Sequence, residues 1–301
     1  MRLFYMGFSA LFFCILSPVA YTAANNKERS NAITWVKNPA PPFYIVAGEE
    51  AGQGFADGIQ AQLEQAMPQF QHQTVTMPLN RLNDFWQKDE NYCFTSMIYE
   101  PNSPSHDYVL SRPNVYYLPH GIITRHPSAI AAQGAIMPLQ SLLQQPTYIL
   151  GSIRNRTFGD TIDLLIEQHK STTARFVRRD RDGLQSLIEM LRLERIDYFI
   201  DYAFVYDYYH RKPKYQSHLY FVTISETLNQ GILGAIGCTN NAWGQGVIEQ
   251  INHALDQLLT NNIYRQFLID WQAVDATSQE YWQRFTAAAA AAQYSIIQGT
   301  P

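Results

Sequence analysis

From Ile33 to Ile98 the apolar residues recur alternately every second position and every three to four positions, and this alternation leaves few folds open. Ile33-Thr34-Trp35-Val36 reads as a strand. Asp57 opens a helix with Ile59, Leu63 and Met67 on one face, which Pro68 ends. Gln73 to Met77 alternates as a strand, Asn80 to Lys88 is a short helix with Leu82, Phe85 and Trp86 inward, and Tyr92 to Ile98 is a third strand. Strand, helix, strand, helix, strand implies a parallel sheet with helical crossovers. Ligands of such sheets sit beyond the C-terminal strand ends, so the loops at 37–44 and 96–112 are expected on one rim. Pro39, Pro41 and Pro42 stiffen the first of these, which carries Phe43 and Tyr44.

Two strand-like runs, Val115 to Leu118 and Gly121 to Arg125, meet at Pro119-His120 and cross into a second lobe. There the alternation repeats, with strands at 148–150, 176–177, 196–200 and 219–224 and helices at 160–169, 181–193 and 202–210. Before them, Ala129 to Gln145 reads as a loop and a short helix that buries Leu139, Leu142 and Leu143. Ile232 to Gly237 reads as a return strand, followed by helices at 243–259, 263–271 and 278–292, the last wrapping the outside. The expected architecture is α/β: 33–120 with 230–275 as one lobe, 121–229 as the other, each a mostly parallel sheet flanked by helices, and 276–301 as a C-terminal helix and tail.

The chain has 301 residues, and 46% of them are hydrophobic, enough for two packed lobes. Its formal charge is −4 with no basic block, which argues against nucleic acid as a partner. Arg2, the apolar run Leu3 to Leu16, Ser17-Pro18 and the small residues up to Ala24 read as an export signal over residues 1–24. An uncleaved anchor is the other reading. Export predicts a periplasmic location. It leaves Cys93 and Cys238, most simply a disulfide, otherwise two buried thiols.

The stretch from Leu150 to Asp160, Leu-Gly-Ser-Ile-Arg-Asn-Arg-Thr-Phe-Gly-Asp, leads from a strand into a helix. Free N–H groups at a helix start and the helix dipole favour an anion there, and Arg154 and Arg156 offer forks for a carboxylate or phosphate. Alternatively, Thr157 or Asp160 caps the helix and the arginines face water. Asp201, at the end of its strand, is expected to face the cleft. The aromatic run Tyr202, Phe204, Tyr206, Tyr208 and Tyr209 is either core and lobe surface or a wall of the cleft.

No H-E-x-x-H, G-x-S-x-G, phosphate-binding loop or C-x-x-C occurs, and no histidines pair at metal-ligand spacing. Binding without metal or cofactor is therefore expected over catalysis. The best acid/base set for an enzyme is Asp201 with His106 or Glu100.

The order of elements, with Trp35 and Pro41-Pro42-Phe43, the turn from Gly54 to Gly58, Ser111-Arg112-Pro113, Gly151 to Gly159 and Arg195-Ile196-Asp197-Tyr198, resembles the type 2 periplasmic solute-binding proteins, in particular the family 3 polar amino-acid branch of ABC transporter substrate-binding proteins. Cys93, Cys238-Thr239 and Trp243-Gly244 look like a divergent branch of it. The resemblance covers about residues 33–275. It implies the two-lobed fold with a two-strand hinge and a small polar solute, amino-acid-like or anionic, captured for an inner-membrane transporter or a sensor protein. By position it assigns ligand contacts to Phe43, Tyr44, Ser96, Met97, Arg154, Asn155, Arg156, Thr157, Phe158 and Asp201. The arginine that clamps the solute carboxylate in that family has no counterpart in Asn102 to Tyr108; Arg81 or Arg112 could substitute, Arg112 beside Pro113 being equally readable as a solvated loop residue. A dehydratase or cell-wall lyase on the same scaffold, or an interaction module without ligand, are the alternatives.

Overall fold

The computed structural model describes residues 31–87, 90–100, 107–126, 136–154, 156–178, 183–272 and 278–298. The export-signal stretch, Asn102 to His106 and Asn155 lie outside them.

The first sheet has the order β2-β1-β3-β12-β4, with β5 also paired to β12. Its strands are β1 (Ala32–Lys37), β2 (Gln71–Thr76), β3 (Tyr92–Ile98), β4 (Tyr108–Leu110), β5 (Val115–Tyr117) and β12 (Ile232–Thr239). Helices α1 (Phe55–Ala66) and α2 (Leu79–Trp86) connect β1, β2 and β3, and these three strands are parallel as expected. β12 runs antiparallel to β3, β4 and β5, so five of the six strands share one direction and the sheet is mostly parallel as expected, with β12 as its antiparallel member. The reason is topological: β12 re-enters from the other lobe, against the direction of the βαβ units. It sits centrally, and Cys238 faces Cys93 of β3 in register. The two sulfurs are bonded, with Cα atoms 4.1 Å apart.

The second sheet has the order β7-β11-β6-β10-β8-β9. It comprises β6 (Gly121–Thr124), β7 (Ile136–Met137), β8 (Leu150–Ile153), β9 (Arg175–Arg178), β10 (Tyr198–Asp201) and β11 (Tyr220–Ile224). Its helices are α3 (Leu139–Leu143), α4 (Asp160–Gln168), α5 (Gly183–Arg192) and α6 (Ala203–His210). It too is mostly parallel, with β6 alone running against its neighbours β10 and β11. Two segments join the sheets, Leu118 to His120 and a run through a short 3-10 helix, Ser225–Thr227.

After β12 come α7 (Ala242–Leu258), α8 (Asn262–Gln272) and α9 (Ser278–Gln298). Asn241 caps α7 by accepting from the Gly244 N–H at 2.8 Å, and the periodic Val247, Ile248, Ile251, Leu255 and Leu258 are buried beneath it. The last helix does more than wrap the outside. Tyr281 is fully buried, and its hydroxyl accepts from the Tyr116 N–H of β5 at 3.2 Å. Among the described residues no helix is long and apolar enough to cross a membrane.

Candidate functional site

A cleft of about 300 Å³ opens at the C-terminal end of β3, between the loop after β1 and the loop after β8. Three local structures hold its walls.

The first is the Phe43 loop. The leading N–H groups of α1, those of Phe55 and Ala56, donate to the Pro42 and Phe43 carbonyls at 2.8 Å each. Buried Asp57 accepts from the Ile45 and Gly54 N–H groups and pairs with Lys37 at 2.6 Å. The helix start is therefore spent on fixing this loop, and Phe43 projects from it into the cleft wall.

The second is β3. Ser96, Met97 and Ile98 line the cleft in succession, and Glu100 follows at the rim. The floor is apolar, with Leu82 and Trp86 of α2, Phe94 and Tyr108. Tyr117 closes one end, its hydroxyl 3.5 Å from the Ser96 Oγ, and burial pushes its phenol up to about 12.

The third is the stretch after β8. Gly151, Ser152 and Ile153 belong to the strand rather than to a loop, and glycine stands at 151 because a side chain there would collide with Ile196 and Leu187. The turn that follows ends at Gly159, whose φ of 89° favours glycine, just before α4. Arg156 reaches into the cleft and donates from Nη2 to the Asp201 Oδ1 at 2.7 Å. Asp201 is only 1% exposed. Burial pushes its carboxyl up, while Arg156 and the Tyr202 N–H pull it back. The Arg156 guanidinium lies 5.6 Å from the Phe158 ring centre and 6.0 Å from that of Phe43. The backbone N–H of Phe158, an anion donor by position, donates to the Asp163 carboxylate at 3.0 and 3.1 Å.

Of the residues the sequence singles out, the structure brings Phe43, Ser96, Met97, Arg156 and Thr157 together around the cleft. Phe158 and Asp201 stand directly behind Arg156. Tyr44 is placed elsewhere: it is fully buried in the first lobe, its hydroxyl 2.6 Å from the Thr95 Oγ1. The turn through Pro41 to Phe43, closed by the Ala40–Tyr44 bridge, sends the Tyr44 side chain inward while Phe43 takes the cleft side. Arg81 and Arg154 are exposed and do not line the cleft. Arg112 pairs with Asp256 of α7. Sequence reading missed Trp86 and Tyr117 as cleft residues, having assigned them only to a helix core and a strand.

Tyr202, directly after Asp201, completes the wall. Its ring stacks on His120 of the crossing segment, centroids 3.9 Å apart, and on Tyr117 at 4.9 Å. Burial, then the nearby Arg156 charge, push His120 well below the usual imidazole range, so it is neutral at pH 7. The aromatic run after Asp201 thus splits. Tyr202 faces the cleft, Phe204 and Tyr209 are buried, and Tyr206 and Tyr208 are half-buried. Among the described residues no group of three or more His, Cys, Asp or Glu is placed to hold a metal ion.

No protein-family model and no curated protein sequence matches the chain. Solved structures do. A Salmonella typhimurium periplasmic binding protein described for high arginine specificity superposes with a TM-score of 0.59 at 14% identity, over 80% of this chain and 98% of that one. An ancestral arginine-binding protein bound to glutamine gives 0.61 at 14%, over 80% and 97%. An ancestral amino-acid-binding protein, a precursor of cyclohexadienyl dehydratase, gives 0.59 at 11%, over 82% and 97%. At these identities the likeness establishes the architecture: this chain has the two-lobed fold of the periplasmic binding proteins.

Proposed function

We propose that the protein binds a small polar solute in the cleft between its lobes and hands it to an inner-membrane ABC transporter or presents it to a membrane sensor. The observation that carries this reading is the composite cleft. Its walls come from β3 and the Phe43 loop on one side and from Arg156, Thr157 and Tyr202 on the other. A volume of about 300 Å³ suits an amino-acid-sized molecule and falls at the small end of ligand pockets. Neighbours of the same fold are described as binding arginine or glutamine or as serving an amino-acid ABC transporter, which supports a small polar solute of that size. Residues 33–120 with 230–275 form one lobe in this reading and 121–229 the other, with α9 attached to the first. A periplasmic location fits the export-signal pattern of Leu3 to Leu16 and the Cys93–Cys238 disulfide, which needs an oxidising compartment.

A thermal-shift screen against amino acids, amines, organic acids, peptides and sugars tests it. A cognate solute at 100 times its Kd adds about 2.7 kcal/mol to stability. No shift with any member of the panel contradicts the reading. An enzyme on the same scaffold is the second reading, favoured by Glu100. Burial, then the charges of Asp160 and Asp163, push that carboxyl up, as suits an acid at the cleft rim. Turnover of a bound solute, lost in Glu100→Gln, would select it.

A further inference from the structure

We propose that the cleft takes an organic amine with an apolar or aromatic body and no carboxylate, its ammonium group resting at Glu100. The proposal rests on the reading of the cleft as a solute site and names the class of solute. Arg156 is the one cation among the described lining residues, and its charge is spent on Asp201. A solute carboxylate entering there would either take Arg156 from a carboxylate that is 1% exposed or place two carboxylates on one guanidinium. A buried carboxylate stripped of its partner is costly. The other anion-binding feature of this stretch is occupied too, since Asp163 takes the Phe158 N–H and Asp160 and Asp163 face the dipole of α4. Arg81 and Arg154, which would supply a second cation, do not line the cleft.

Glu100 is left as the charged lining group without an ion pair among the described residues. The Arg156–Asp201 pair sums to zero, so the formal charge of this part of the cleft is that of Glu100. Asp160 and Asp163 add to the negative potential around it. A single positive charge on the solute is the complement. Asn38, Ser96 and Thr157 add neutral polar groups, and most of the other lining residues are apolar or aromatic, with Leu82, Trp86, Phe94, Met97 and Tyr108 beneath and the Tyr117 and Tyr202 rings at the end. Such walls pack a ring or a branched alkyl body and attract a cation through their faces.

Titration calorimetry on the purified protein at pH 7 with three matched pairs tests the class: tyramine against tyrosine, phenethylamine against phenylalanine, and isoamylamine against leucine. Each pair differs by the carboxylate alone. The expected result is that at least one amine binds ten times or more tightly than its amino acid, and that Glu100→Gln weakens that amine at least tenfold. Tighter binding of the amino acid in every pair overturns the proposal and returns Arg156 to a carboxylate clamp. An amine affinity within twofold of the parent in Glu100→Gln overturns it as well. If none of the six binds while another panel member stabilises the protein, the class is wrong and the solute-binding reading stands. If nothing binds, that reading falls with it.

Discussion

The face that the second lobe turns toward the first has two ends of different chemistry. At one end Arg156, Thr157 and Tyr202 stand across a cleft from Ser96, Met97 and Glu100. At the other, α6 is pressed against the first lobe by aromatic rings. The Phe204 ring lies 5.0 Å from Phe43, 5.7 Å from Phe55 and 6.2 Å from Trp271, and all but Trp271 are buried. Beyond them the Tyr209 hydroxyl donates to the Pro41 carbonyl, and Tyr208 and Lys212 both reach Glu50. One end leaves volume and unspent polar groups. The other is packed ring against ring. One buried cluster accordingly spans both lobes, from Trp35 and Phe55 of the first to Ile188 and Phe199 of the second, while a separate cluster around Ile122, Leu142 and Ile200 lies within the second lobe. Apolar contact at the α6 end holds the lobes together before any solute arrives, so a solute at the cleft end needs to supply less differential binding energy to keep them closed.

Substitutions centred on each end weigh the two roles, with Phe43 and Tyr202 the rings that the ends share. The largest effect is expected at the aromatic end. Phe204→Ala removes a buried ring and should cost about 3–5 kcal/mol in urea unfolding. In X-ray scattering the unliganded variant should be more extended than the parent. A loss below about 1 kcal/mol would mean that these rings do not hold the lobes together.

At the cleft end, Arg156→Ala strands the Asp201 carboxylate and should cost about 3 kcal/mol. Replacing both partners, Arg156→Met with Asp201→Leu, should recover most of that loss, because neither charge is then left buried. If the double variant is no more stable than the single one, Arg156 acts through its packing between Phe43 and Phe158.

The smallest effect belongs to the exposed latch. Hydrogen bonds from Lys212, then Tyr208, hold the Glu50 carboxyl below the usual range. A lowered folded-state value contributes stability above the unfolded value and loses it as pH falls. Glu50→Ala should therefore cost at most about 0.5 kcal/mol at pH 7, after allowing for its exposure to solvent. The difference from the parent should shrink as the pH drops below about 4.5. A constant difference across pH 3 to 7 would show that the ion pair is not its source.

How far the chain could be read without coordinates depended on whether neighbours in sequence decide the matter. The alternation from β1 to β3 and the stripe of α7 are local patterns, and they were legible. β4 and β7 are three and two residues long and exist only by pairing with β12 and β11 from far along the chain. No periodicity can develop over such lengths. Gly151-Ser152 reads as a loop because its composition is that of a turn, yet both residues are buried in β8, where close packing against Ile196 explains the glycine. At the site, the sequence offered Arg156 and Asp201 as separate groups for a solute. Their mutual pairing across 45 positions was invisible, and it changes what the cleft can take.

The most direct test of the cleft as the binding site uses Trp86, which lines its floor. Tryptophan fluorescence would be titrated with whichever amine binds best, in the parent protein and in Trp86→Phe. The account predicts a saturable change in the parent that is largely lost in the variant, while calorimetry still registers binding. A change of full amplitude in Trp86→Phe would place the solute away from the cleft and contradict the account.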